Sequence, residues 1–134
     1  MSGASPTQKT LALLRERGWM VGIVERFLPG GAFGHRSDLF GFLDIVCVAP
    51  ESGIVGVQSC GQDFSGHVRK LMEERHDNVV AWLKHAKCEL VGWRKLKIKT
   101  KAGGSVERWR PRIADVVLTP DGELQIVERK ETKQ

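Results

Sequence analysis

Arg36-Ser37-Asp38-Leu39-Phe40-Gly41-Phe42-Leu43-Asp44-Ile45-Val46, followed one turn later by Gly56-Val57-Gln58-Ser59-Cys60, is the stretch on which the fold turns. From Leu39 to Val48 every residue except Asp44 is apolar or glycine, the pattern of a strand buried on both faces. An unpaired carboxylate inside such a strand costs several kcal/mol, so something must compensate Asp44. An arginine such as Arg36, backbone donors at a strand end, or a bound metal ion would each do so. Ala49-Pro50-Glu51-Ser52-Gly53 reads as a turn into a further apolar run, Ile54 to Cys60. In that run Ile54, Gly56, Gln58 and Cys60 share one face by the period of two, so a second polar group, Gln58, interrupts an apolar strand.

Outward from this centre, Ser5-Pro6-Thr7-Gln8 carries the signature of a helix start, and Gly18 suits the end of a helix reaching Arg17. Trp19 to Phe27 predicts a first strand, and Leu28 to Gly34 a long flexible loop. On the other side, Asp63 to Ala86 turns helical. Phe64, Val68, Leu71 and Met72 form one apolar stripe, a break falls near Asp77, and Asp77 would cap a second helix carrying Val80, Trp82 and Leu83 inward. Cys88 to Thr100, Val106 to Leu118 and Glu123 to Glu128 read as strands joined by glycine-containing turns. The expected architecture is a single α/β domain over residues 1–134, a mixed sheet flanked by helices, with residues 1–5 and 130–134 flexible at its ends.

The chain has 134 residues and 14.9 kDa, 41% hydrophobic and 28% charged, enough for one core without staples. No apolar stretch reaches the roughly 20 residues that span a bilayer, and the N-terminal residues lack the pattern of a secretory signal, so an intracellular, cytoplasmic protein is expected. Cys47, Cys60 and Cys88 are odd in number and scattered, and read as reduced thiols. Gly30-Gly31-Ala32-Phe33-Gly34 lacks the Lys-Ser/Thr of a phosphate loop, and His85 with Cys88 has no second pair to complete a zinc site.

Charge is concentrated in one place. Between Trp93 and Arg112 stand Arg94, Lys95, Lys97, Lys99, Lys101, Arg108, Arg110 and Arg112 against one acid, Glu107, a segment more positive than the +5 of the whole chain. In an extended hairpin the lysines project from one face, and Arg108, Arg110 and Arg112 share a face of the partner strand. Such a ribbon suits a phosphate backbone, with Trp93 and Trp109 available either to stack on bases or to pack against the core.

The order helix, strand, strand with an interior Asp, turn, then a strand with an acid or amide two residues before a Lys, then a helix, resembles the core of PD-(D/E)xK nucleases over about Thr7 to Trp93. In outline it is similar to small phage-type nucleases, Holliday-junction resolvases and Mrr-like restriction endonucleases. The resemblance implies a restriction-endonuclease-like fold in which Asp44, Gln58 and the Ser59 carbonyl hold Mg²⁺ or Mn²⁺. Cys60 stands where the motif lysine belongs, and a thiol cannot offset transition-state charge. Lys70, on the following helix, is the nearest candidate to supply the amine. Because Gln58 brings no charge, a further acid is expected, first Asp38, then Glu25 or Glu16. The implied activity is metal-dependent endonucleolytic cleavage of DNA junctions or other recombination and repair intermediates, by a phage or prokaryotic enzyme acting as a homodimer. A nuclease-fold nucleic-acid-binding protein without catalysis is the alternative.

Overall fold

Ser5 opens the first helix: its hydroxyl accepts the Gln8 N–H at 3.2 Å, and Pro6 follows where no N–H is required. Helix α1 (Pro6–Glu16) runs out at Gly18, whose φ of +83° a side chain would resist. The computed structural model describes residues 4–29 and 35–130. The chain continues through β1 (Met20–Ile23), β2 (Arg26–Leu28), β3 (His35–Ser37), β4 (Ile45–Ala49) and β5 (Gly53–Cys60). Then come α2 (Phe64–Arg69), a π-helical turn (Lys70–Glu74), α3 (His76–Leu83), β6 (Lys87–Lys99), β7 (Ser105–Leu118) and β8 (Leu124–Glu128).

Six strands form one mixed sheet in the order β1-β4-β5-β6-β7-β8. β5 and β6 are parallel, connected through α2, the π turn and α3, and the other neighbours in the sheet are antiparallel. Helices cover both faces. On one, Leu11 and Leu14 of α1 pack on Ile45, Cys47, Val55, Val57, Val91 and Trp93; on the other, Phe64, Leu71 and Val79 pack on Leu43, Cys60, Cys88, Leu90 and Ala114. Each buried leucine contributes roughly 1.5–3 kcal/mol of transfer free energy. The α/β class with a mixed, helix-flanked sheet is therefore as expected. No helix among the described residues is long and apolar enough to cross a membrane.

Four elements differ from expectation. The predicted first strand splits into β1 and β2, because β2 leaves the main sheet and pairs with β3 as a separate two-stranded ribbon. Residues 30–34 of the predicted loop lie outside the described residues. The helix predicted from Asp63 carries an unexpected π turn, while its break, expected near Asp77, falls at Arg75; Asp77 caps nothing, standing in the first turn of α3 and contacting His76.

The fourth difference decides the site. The predicted strand from Leu39 begins only at Ile45, since Leu39 and Leu43 bridge each other through paired backbone hydrogen bonds of 2.9 and 3.0 Å. Phe40 (φ 56°) and Gly41 (φ 80°) form the turn between them, both in left-handed backbone. That conformation costs Phe40 roughly 1 kcal/mol. Asn78 donates to the Phe40 carbonyl at 2.9 Å, and the Phe40 ring lies 6.3 Å from that of Trp82. The hydrophobic run reads as a strand only because both flanks of this fold-back are apolar.

Candidate metal centre

The fold-back has a direct chemical result. Asp38 and Asp44, six residues apart, lie just outside the Leu39–Leu43 bridge and so face each other instead of lying along one strand. Asp44 is further fixed by its backbone: its N–H donates to Val57, and its carbonyl accepts from Val24 and Glu25 at 2.9 and 3.3 Å. Those bonds bring Glu25 in beside it. Carboxylate oxygens of Glu25, Asp38 and Asp44 all lie within 4.8 Å of one another.

Asp44 is 5% exposed and accepts the Ser59 backbone N–H at 2.7 Å. Burial, the hydrogen bond shared with Asp38, and the Asp38 and Glu25 charges push its carboxyl up to about 8, against the pull of the Ser59 N–H. For Asp38, burial works upward but is outweighed by hydrogen bonds from Asp44 and Lys70 and by the Lys70 charge, and its pKa falls below the usual carboxylate value. The two acids therefore titrate as a coupled pair, with the shared proton favouring the more deeply buried Asp44. Lys70 Nζ donates to Asp38 Oδ2 at 2.9 Å, both side chains partly buried.

These groups line a cleft of about 410 Å³ bounded by Ser5, Pro6 and Thr7 of α1, by Ser59, Cys60 and Gly61 at the end of β5, and by His67 and Lys70. His67 stands one helical turn before Lys70. Burial, then the Lys70 charge, lowers its pKa, and its Nδ1 is buried without a hydrogen-bond partner among the described residues. Burial, then the Asp63 and Asp44 charges, pushes the Cys60 thiol up to about 12. It lines the cleft as a neutral group and supplies neither a base nor a positive charge.

Of the residues singled out in the sequence, Asp38, Asp44, Ser59 and Lys70 come together here, and Glu25 joins them. Gln58 does not line the cleft. It is fully buried, with neither side-chain polar atom hydrogen-bonded to any described residue. The Ser59 hydroxyl is also engaged away from the acids, 2.7 Å from Thr10 Oγ1, which in turn accepts Trp93 Nε1–H at 2.9 Å. Glu16 is exposed near the end of α1, away from the cleft, and the Arg36 side chain lies outside the described residues. In the sequence Asp44 stood out as an acid inside an apolar run and Asp38 as the first choice for a further acid, whereas nothing in its spacing marked His67.

Three carboxylates with one ammonium beside them form an oxygen-rich set that suits a hard divalent cation.

β6 continues past the end of β5 in the same direction, since Cys60 is opposite Gly92 in the parallel pair. Beyond that point β6 and β7 pair with no other described strand, so Trp93 to Lys99 and Ser105 to Pro111 form a free two-stranded ribbon beside the cleft. Its register separates the cations: Lys95 and Lys97 face Trp109 and Glu107, whereas Arg94 faces Arg110 and Arg108 faces Leu96. Lysines and arginines therefore occupy opposite faces. Lys101 lies in the turn at the tip. Trp93 is buried in the core, while Trp109 is 39% exposed with Lys9 Nζ 4.5 Å and Lys95 Nζ 5.7 Å from its ring centre. Arg112 lies over the Phe64 ring and pairs with Glu128. The chain matches no family model, no curated protein and no solved structure.

Proposed function

We propose that the protein is a metal-dependent nuclease with a restriction-endonuclease-like core, hydrolysing phosphodiester bonds in DNA. The observation that carries this is the convergence of Glu25, Asp38 and Asp44 within 4.8 Å, beside Lys70 and at the base of the basic ribbon. Asp38 and Asp44 would hold Mg²⁺ or Mn²⁺, with Glu25 in the place that the resemblance gave to Gln58. When bound, such a cation lowers the pKa of a bound water and offsets charge on a phosphoryl oxygen.

The chain's own residues supply the rest. Lys70 brings to the cleft the positive charge that Cys60 lacks, held in place by Asp38. The Ser59 N–H keeps one Asp44 oxygen fixed, leaving the other to turn toward a ligand. Cations on the ribbon, which begins where β6 passes the end of β5, hold the backbone that delivers the scissile phosphate. The Phe40-Gly41 turn fixes the separation of the two aspartates before any ligand arrives.

A nuclease-fold binding protein without catalysis is the second reading, favoured by Cys60 at the lysine position. Incubation with duplex, single-stranded and branched DNA plus Mg²⁺ or Mn²⁺ separates the two. Cleavage lost in Asp44→Ala and Lys70→Ala supports the nuclease; tight binding with no cleavage of any substrate supports the second reading. Cleavage surviving Asp44→Ala removes the proposed site.

A further inference from the structure

His67 lines the cleft one helical turn before Lys70, and residues three apart leave a helix on the same face. Among the described residues it stands outside the group of Glu25, Asp38 and Asp44, whose oxygens lie within 4.8 Å of one another. It therefore borders the space a ligand would fill without helping to hold a cation there. Its two ring nitrogens differ in their surroundings. Nδ1 is buried with no hydrogen-bond partner among the described residues, and because the ring borders the cleft, Nε2 is the nitrogen that faces it.

Burial and the Lys70 charge keep the ring neutral near pH 7, so it carries a single N–H. A buried N–H with no acceptor is costlier and rarer than a buried lone pair with no donor. The hydrogen thus belongs on Nε2, where the cleft offers water or a ligand. A nitrogen that already carries its proton is a donor and not a base. Such a donor is needed: Lys70 is engaged by Asp38, the Cys60 thiol is neutral, and the three carboxylates repel an anion. A neutral N–H offsets that repulsion without opposing a divalent cation.

We propose that His67 is a catalytic residue, donating its Nε2–H to a non-bridging oxygen of the scissile phosphate beside Lys70. This rests on the cleft hydrolysing phosphodiesters. As the water oxygen bonds phosphorus and the bond to the leaving sugar oxygen breaks, negative charge grows on the non-bridging oxygens, and the hydrogen bond strengthens with it. The ring keeps its proton throughout. The proton of the attacking water passes to solvent, and the leaving oxygen takes one from solvent.

The test is single-turnover cleavage of duplex and single-stranded DNA with Mn²⁺, comparing His67→Ala, His67→Phe and His67→Gln, with circular dichroism as the check on folding. Phe keeps a ring without a donor, whereas the Gln amide places an N–H near the position of Nε2 and is no base. His67→Ala and His67→Phe should cleave about 100-fold more slowly, the loss expected for one donor to a developing oxyanion, with Mn²⁺ affinity unchanged. His67→Gln should recover to within about fivefold of wild type. A two-bond ¹H–¹⁵N spectrum of the metal-free protein at pH 8 should show His67 as the Nε2–H tautomer. If His67→Gln is as slow as His67→Ala, or the spectrum shows Nδ1–H, the donor role is wrong. If His67→Ala and His67→Phe cleave at the wild-type rate, His67 takes no part in the chemistry, although the nuclease stands. If the wild-type protein cleaves no DNA, the proposed function fails and the role of His67 falls with it.

Discussion

Replacing Asp44 by Asn should change how stability depends on pH. The Asp44 carboxyl is 5% exposed, and burial pushes it up to about 8 in the folded protein, against an ordinary value of 3.8. Between those values the native state holds a proton that the unfolded chain has released, so stability falls as pH rises. The stabilisation is complete below about pH 4 and is lost as pH climbs through 8. For a shift of this size, linkage gives roughly 3–4 kcal/mol lost between pH 5 and pH 8. Asp38, shifted downward, acts in the opposite sense and only as pH falls through the acid range, so it leaves this interval untouched. The amide of Asn mimics the protonated acid: its oxygen can accept the Ser59 N–H and its NH₂ can donate to Asp38. Urea denaturation at pH 5 and pH 8 should therefore show a steep decline for the wild-type protein and a nearly flat response for Asp44→Asn, with the variant the more stable at pH 8. Parallel declines separated by a constant offset would refute the assignment of the shared proton to Asp44. Mn²⁺ added to the wild-type protein at pH 7 should release close to one proton, read by titration calorimetry in buffers of different ionisation enthalpy.

Gly41→Ala places a Cβ 2.8 Å from Arg75 Nε in left-handed backbone, and should cost roughly 1–3 kcal/mol and weaken Mn²⁺ binding. Gly103→Ala, at φ +91° in open space, should cost about 1 kcal/mol in thermal unfolding with Mn²⁺ binding unchanged. Thr10→Val strands the Trp93 N–H and the Ser59 hydroxyl and should lose roughly 1–3 kcal/mol in urea unfolding, with Thr10→Ser close to wild type. Lys70→Met should lower cleavage at least about 100-fold while leaving Mn²⁺ affinity the same or tighter; loss of Mn²⁺ binding would make Lys70 a structural partner of Asp38 only.

The α1 cap, the turn after Ala49 and the three C-terminal strands were legible because each is written locally: a hydroxyl before Pro6, Pro50 near Gly53, alternating residues around glycine turns. The fold-back at Leu39 was not, because its turn uses Phe40 where left-handed backbone usually calls for Gly or Asn, and apolar flanks on both sides imitate one buried strand. Asp38 and Asp44 were thus legible as candidates, while their direct opposition depends on that turn. Gln58 satisfied the spacing but not the geometry, since the period of two assigns a face and says nothing of how deep along β5 the cleft extends. The division of the ribbon into lysine and arginine faces follows from the pairing of Lys95 with Trp109, a register that a single sequence leaves open.

The π turn between α2 and α3 acts as a phase shifter. An α-helix advances 100° per residue, so a face aimed at the cleft and a face aimed at the sheet are tied together along its whole length. One widened turn at Lys70–Glu74 admits an additional residue and breaks that tie. His67 and Lys70 can then be rotated to suit the acids while Val79 stays fully buried against the sheet. Removing one residue from Lys70–Glu74 would restore a continuous helix and force a choice between the two, so single-residue deletions there should damage either the cleft or the core, whereas polar substitutions at exposed Glu73 and Glu74 should be tolerated.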